Sequence, residues 1–496
     1  MVDEIVVVDT GSIDGTVAIA ERHGARVLHE EWAGDFAAPR NVALDAANGA
    51  WILVLDADEE GMGAEHLRPL LADAEDLEGF DLREVSYVGE KAGVEAVVHG
   101  ALRLFRNRPH HRFDGALHEQ ISSKIEGELG ERTRFVGSPE ILHYGYLANA
   151  VRDRAKTERN RTIALQEALE RPEDAFALFN AGIEYQRIDD HTRAVYFFQQ
   201  SFSSLPDLRR NWTPVLLRAL AASLRQLGKY DEALEVIAEA ETAFADFSDL
   251  YFLEAQIHSD RQEYRAAILA LERALAIGDH DGDRYMARIG MGSFHSWFGL
   301  GVLMERVGDL GEAVRAFRKA VVSAGGCFPD AQAALVRLCL TTDPPEVVRD
   351  FVVGLLPARQ RADSLRVVAE EFARADHPQH ALELVDEALA AAPDDHGAQI
   401  ARANALLMLG RLDDATAQLD AVPATSDLAG VADERRYLCA LIEGDRDAAE
   451  RAIVALADVD DGLTSFVLAS VLGAVRGEDA PPPLPARVDA GDATTA

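Results

Sequence analysis

Two aspartates, Asp56 and Asp58, stand two residues apart at the end of the apolar run "WILVLDADEE", which begins at Trp51. Residues spaced this way on a strand point to the same side, so both carboxylates would face one crevice. Acids facing each other repel unless a cation lies between or beside them, and a divalent metal with a diphosphate ligand fits that charge arithmetic. The plainer alternative is a solvated acidic strand end. A similar corner opens the chain. In "IVVVDTGSIDGT", Ile5 to Thr16, an apolar strand ends at Asp9, Gly11 permits a sharp turn, and Ser12 or Asp14 can cap a following helix. Alone this is only a strand–turn–helix corner. Together with Asp56 and Asp58 it reads as part of a nucleotide pocket.

The elements that must position these groups follow from the pattern of apolar residues. "EIVVVD" and "WILVLDAD" are continuous apolar runs, as in strands covered on both faces of a parallel sheet. Between them, residues 15–24 and 36–49 have helical spacing and close on glycines, and "GALRLFRN", Gly100 to Asn107, reads as a later strand. This α/β grammar runs to residue 146. From about Asn149 a repeat replaces it, first clear in "AFALFNAGIEYQRIDDHTRAVYFFQQSF" with Gly182, Tyr185, Ala194 and Phe198. Equivalent alanines are Ala233, Ala267, Ala313, Ala381, Ala415 and Ala448, and two of the intervals match the period of about 34 residues of tetratricopeptide repeats. Small residues let paired helices approach, and aromatic rings fill the gap to the next pair. The expected domains are therefore 1–146, α/β; 147–476, an all-α solenoid with an irregular run at 325–357; and 477–496, a disordered tail.

Composition narrows the function classes. With a net charge of −36 and 27% charged residues, the chain has no bulk affinity for nucleic-acid phosphates or anionic lipid. Three cysteines, Cys327, Cys339 and Cys439, lack metal-ligand spacing and read as free thiols of a reducing compartment. No signal peptide is visible, and the apolar run from Phe466 to Val475 is too short to span a bilayer, so a cytoplasmic protein is expected.

The ordered set "DEIVVVDTGSIDGT", "DFAAPRNVALDAANGAWILVLDADE", "LRLFRN", "FDGALHEQI" and "ILHYGY" resembles family-two glycosyltransferases of the GT-A fold, in the branch joined to tetratricopeptide repeats. The resemblance implies a metal-dependent, inverting transfer of a sugar from a nucleotide-diphospho-sugar, commonly a UDP-sugar, to a peptide or cell-envelope saccharide. It implies that Asp9, in its turn with Gly11, Ser12 and Asp14, contacts the nucleotide base, that Asp56 meets ribose or metal, and that Asp58 coordinates Mn2+ or Mg2+. Arg40 and Asn41 of "PRN" would lie by the nucleotide-sugar. Inversion needs one carboxylate to deprotonate the acceptor. Glu119, after the "FDG" loop, is the first candidate and Asp114 the reserve. His118 and His143 are candidates for a third metal ligand or a diphosphate contact, beside the simpler role of structural hydrogen-bonding residues. The basic stretch "RNRPHHR", Arg106 to Arg112, reads as a solvated loop or a phosphate contact.

Departures from the family pattern at Ile13, Pro39 and Ala50 are mild. A larger one is that the family begins with a further strand and helix, about 30 residues by the size of a βαβ unit, whose K-N-E-like turn forms the other wall of the base pocket. The expectation is a start assigned downstream of the true one; the alternative is a truncated relic. A rival reading from another class is a non-catalytic repeat scaffold carrying an inactive glycosyltransferase domain. A nucleotidyltransferase would need a basic, glycine-rich phosphate loop, which the sequence does not show. The repeats are expected to bind a protein partner, an extended peptide or a helix lying in the groove of the array.

Overall fold

The computed structural model describes residues 2–452 apart from 90, 91, 94, 122–132, 148–153, 206, 207, 209, 211, 358–360, 446 and 450. The run from Phe466 to Val475 and the tail from Gly477 lie outside the described residues. The chain divides at Val307/Gly308 into two compact units.

In the first unit, strand β1 (Val6–Asp9) leads through helix α1 (Thr16–Arg22) to strand β2 (Arg26–His29), and β1 and β2 pair in parallel. Helix α2 (Ala37–Ala46) begins where the Asp35 carboxylate accepts the N–H groups of Ala37 and Ala38, at 2.8 and 3.2 Å. Strands β3 (Trp51–Leu53), β4 (Glu59–Met62), β5 (Gly79–Gly89), β6 (Ala96–Arg106) and β7 (Thr133–Leu147) follow, with helix α3 (Leu67–Ala72) between β4 and β5. They form one sheet in the order β3-β6-β5-β7-β4.

Only the first of the two apolar runs forms the expected parallel pairing. β1 pairs with β2 alone among the described residues, whereas β3 pairs antiparallel with β6, Trp51 opposite Arg106. The large sheet is mixed, with β5 parallel to β7 and antiparallel to β6. A continuous apolar run reports burial and not the direction of its neighbour, so pattern alone could not separate the two cases. Trp51, Phe80, Leu82, Leu104 and Ile141 pack with Leu67 of α3 into the core under this sheet.

Apart from one two-residue strand, the rest of the described chain is built from paired helices, as in an α-solenoid. In the first unit they include Arg154–Glu170, Ala175–Arg187, His191–Ser203, Thr213–Gln226, Tyr230–Ala243, Ser248–Asp260, Tyr264–Ile277 and Phe294–Arg306. The repeat alanines Ala194, Ala233, Ala267, Ala313 and Ala415 have no exposed surface, and Ala381 is 2% exposed. The crossing of the first full pair is tight enough that a Cβ on Gly182 would lie 2.4 Å from the ring of Phe198. The irregular run holds two short helices, Pro329–Cys339 and Pro345–Val353, a shrunken pair in the second unit.

Two features join sheet and helices in the first unit. Val85, Ala96 and Val98 of β5 and β6 share one core with Phe179, Phe198, Leu216 and Phe247. The interval between Ala267 and Ala313 is stretched by loop 278–293, which carries strand β8 (Ala287–Arg288) onto Val97 and Val98 of β6. The N–H of Gly100 donates to the Gly282 carbonyl at 2.7 Å. The loop holds its shape because the Asp279 carboxylate accepts from the N–H groups of Gly290 and Gly292 and from the Ser293 hydroxyl.

Candidate active site

The regular part of β3 ends at Leu53, and Asp56 and Asp58 lie on the turn between β3 and β4. They stand at two ends of one network of charges. Arg103 of β6 donates to Glu59 at 2.5 Å and to Glu84 at 3.0 Å, and lies 3.6 Å from Asp56. Across the sheet, His143 of β7 faces Asp58 at 3.6 Å and Glu84 at 3.6 Å, and its Nδ1 shares a 3.2 Å hydrogen bond with the Ser86 hydroxyl. Strand register brings these groups together, because His143 is opposite Glu59 on β4 and beside Ser86 on β5. Arg103 is the extra residue where the β5–β6 register shifts, with Phe80 opposite Leu104 and Asp81 opposite Leu102. A bulge of this kind re-aims one side chain.

Burial and pairing shift the groups of this network in opposite directions. Burial would raise Glu84, but His143, His99 and Arg103 hold it well below the usual carboxylate range. For Glu59, burial prevails over Arg103 and pushes the carboxyl up. Burial would lower His143, yet the Asp58 and Glu84 carboxylates hold it up at about 9. Gly145 makes room for the pair at the surface: a Cβ there would lie 2.4 Å from Asp58 Oδ2 and 2.6 Å from His143 Nε2.

A second bridge meets the first at Asp56. Arg40 of α2 donates to Asp56 Oδ1 at 2.5 Å and through Nε to Glu119 Oε1. Glu119 sits on loop 113–120, which is closed by reciprocal backbone bonds between Asp114 and Gln120. Asn41 clamps the foot of the loop, donating to the Phe113 carbonyl at 3.0 Å and accepting the Phe113 N–H at 2.8 Å. Asp114 turns away from the bridge and pairs with Arg171 at 3.1 Å. His118 has φ +54°. Burial, and then Arg187 on helix Ala175–Arg187, push it down to about 4.

The structure thus gathers Arg40, Asp56 and Glu119 at one point, and Asp58 with His143 at another, joined through Arg103 and Glu84. Asn41 serves the loop. Asp9, 9% exposed, folds back onto its own turn and accepts the N–H groups of Gly11 and Ser12 at 3.2–3.3 Å, with His29 at 3.4 Å. Asp14 accepts from the Thr16 N–H at 2.9 Å at the start of α1, while no side-chain bond from Ser12 caps that helix. In the basic stretch, Arg106 holds the carbonyls of Ala74 and Leu77, Arg108 holds Glu78 and Arg112 pairs with Asp45, so these arginines pin the loop. Sequence reasoning missed Arg103, Glu59 and Glu84. Arg103 lay inside the quoted "LRLFRN" and Glu59 inside "DADEE", but neither stretch showed which acids the arginine would meet.

The open donors of the network are carboxylate oxygens, the ligand type a divalent cation takes. Asp56 and Asp58 are the open members, with side chains 33% and 48% exposed. Even with Glu59 left out, the carboxylates of Asp56, Asp58, Glu84 and Glu119 outnumber the charges of Arg40, Arg103 and a protonated His143 by one. Oxygen ligands carrying that excess suit Mg2+ or Mn2+. Among the described residues, Glu59, Glu84 and His143 also bring ligand atoms within 4.8 Å of one another, but Arg103 bonds both of those glutamates.

Residues 1–82 match the model of glycosyl transferase family 2, and residues 372–428 match a tetratricopeptide-repeat model. A TPR repeat-containing protein of Synechococcus elongatus is 41% identical over 188 residues, 36% of this chain and 45% of the relative. The SPbeta prophage-derived glycosyltransferase SunS of Bacillus subtilis is 26% identical over 267 residues, 52% of this chain and 62% of the relative. The lipopolysaccharide core biosynthesis glycosyltransferase LpsC of Rhizobium meliloti is 34% identical over 92 residues, 17% of this chain and 34% of the relative. The chain spans 45% and 62% of the lengths of the first two.

Proposed function

From the premise that this chain joins a family-two glycosyltransferase segment to tetratricopeptide repeats, we propose that it is a metal-dependent, inverting glycosyltransferase. It moves a sugar from a nucleotide-diphospho-sugar, a UDP-sugar in the first instance, to a peptide or cell-envelope saccharide. The observation that carries this reading is Arg40, which ties Glu119 to Asp56 and so sets a candidate base beside the acids that suit a metal.

In this mechanism Glu119 accepts the proton of the acceptor as its nucleophilic atom attacks the anomeric carbon. The bond from that carbon to the diphosphate oxygen breaks, and the configuration inverts. Arg40 fixes the directions of Glu119 and Asp56 together. A divalent cation held by Asp58 and Asp56 would supply positive charge for the departing diphosphate. His143, protonated at neutral pH, is a counter-ion of Asp58. Asp9, Gly11, Ser12 and Asp14 shape the turn proposed to receive the nucleotide. The domain limits 1–146 and 147–476 belong to this reading, as do a protein partner for the repeats and a cytoplasmic setting, which the three free cysteines support. No helix among the described residues is long and apolar enough to cross a membrane.

Calorimetry on the full chain tests the donor side. UDP-sugar should bind more tightly with Mn2+ than with a chelator, and Asp58→Asn should abolish that difference. Glu119→Gln should spare binding and lower transfer by about a hundredfold or more. One observation favours the scaffold reading: Arg103 already neutralises the acids beside Asp56. That reading prevails if the parent binds no nucleotide-sugar with any metal.

A further inference from the structure

Glu167 belongs to the first solenoid helix, Arg154–Glu170, yet its carboxylate is spent on the loop that carries Glu119. It is 8% exposed and accepts the N–H of Ala116 at 3.2 Å. One turn on, Arg171 lies 3.6 Å from Glu167 and 3.1 Å from Asp114, steadying both. The loop turns through Gly115 at φ +103°, a conformation that favours glycine, and a Cβ there would come within 3.6 Å of Glu167 Oε1. From the other side, the N–H of Phe36 donates to the Ala116 carbonyl at 3.0 Å. Asn41 therefore fixes the foot of the loop and Glu167 its tip. With the peptide planes at residues 116 and 117 set, His118 takes its left-handed conformation and Glu119 is delivered to Arg40.

We propose that Glu167 is a positioning residue for sugar transfer: it holds the tip of loop 113–120 so that the Glu119 carboxylate lies against Arg40 and Asp56. The first solenoid helix is then part of the transfer site. The proposal rests on Glu119 acting as the base. A carboxylate that takes a backbone N–H orients it more strongly than a neutral acceptor does, and it needs to be an acceptor only. The amide of glutamine offers an oxygen in the same place without the charge, whereas leucine fills the volume with no acceptor.

The test compares Glu167→Gln and Glu167→Leu in the full chain, with Glu119→Gln beside them. Glu167→Leu should lower kcat for transfer by about thirtyfold while UDP affinity in the presence of Mn2+ stays within about twofold. Glu167→Gln should recover kcat to within about threefold of the parent, because a hydrogen-bond acceptor is restored. Hydrogen exchange at the Ala116 amide, read by mass spectrometry, should quicken in the leucine variant and not in the glutamine variant. The inference is overturned if Glu167→Leu transfers at the parent's rate or leaves amide exchange unchanged. It is equally overturned if glutamine is as inactive as leucine, or if UDP affinity falls in step with kcat. A wrong base assignment shows differently, as Glu119→Gln transferring at the parent's rate. Should the parent transfer nothing, the exchange measurement still decides whether Glu167 holds the loop.

Discussion

Two histidines of the candidate site stand in opposite charge states at neutral pH. His143 is held up at about 9 by the carboxylates of Asp58 and Glu84 against the pull of burial, while His118 is pushed down to about 4 by burial and by Arg187. The folded protein thus prefers His118 neutral, whereas an unfolded chain takes up that proton near pH 6.5. The stability this contributes is fully present above about 6.5 and is lost as pH falls towards 4. Urea unfolding of the parent between pH 7 and 4.5 should therefore lose on the order of 2 kcal/mol more than unfolding of His118→Asn. Parallel losses in the two proteins would show that His118 carries no such linkage. Both histidines, like Asp56, Asp58 and Glu119, were legible as chemistry-bearing residues from type and neighbourhood alone. Their protonation states were not, because they depend on Arg187 and Glu84, which lie 69 and 59 positions away in sequence (187 − 118 and 143 − 84).

At the scale of elements, the paired helices were easier to read than the sheet. Gly182, Tyr185, Ala194 and Phe198 announced a helix crossing because small and aromatic residues recur at fixed intervals, and each of the four is buried. Gly182→Ala should gain about 1 kcal/mol of helix propensity. It should still lose about 1–3 kcal/mol net, because the new methyl meets the Phe198 ring. Chemical denaturation of the fragment 1–307 would measure the difference, and a net gain would mean that the ring yields without cost. The sheet hid more. Strand β2, Arg26–His29, follows Gly24 closely and is too short to carry a periodic signal. Arg103 sits in a bulge, so the alternation of β6 pointed to no partner for it. Cross-strand register decides which acids meet, and register is not written in either strand alone.

For the molecule as a whole, the change from mixed strands to pure helix near residue 147 is a change of grammar and not of core. Val85, Ala96 and Val98 pack with Phe179 and Phe198, and β8 extends the sheet from within the helical region. A fragment of residues 1–147 should therefore bind a hydrophobic dye and aggregate, while 1–307 should be monodisperse and unfold in one cooperative step. Light scattering and dye fluorescence on the two fragments check this, and a well-behaved 1–147 would mean that the shared core is dispensable.

The strand β8 also bears on how such a protein can vary. A stack of similar units ordinarily drifts in copy number, since removing or duplicating one whole unit leaves its neighbours able to stack again. Here a deletion among the helices between Arg154 and Arg306 would either strip Glu167 from loop 113–120 or draw β8 off β6. Gains and losses of units are therefore expected beyond Val307, and the early units are tied to the sheet they serve.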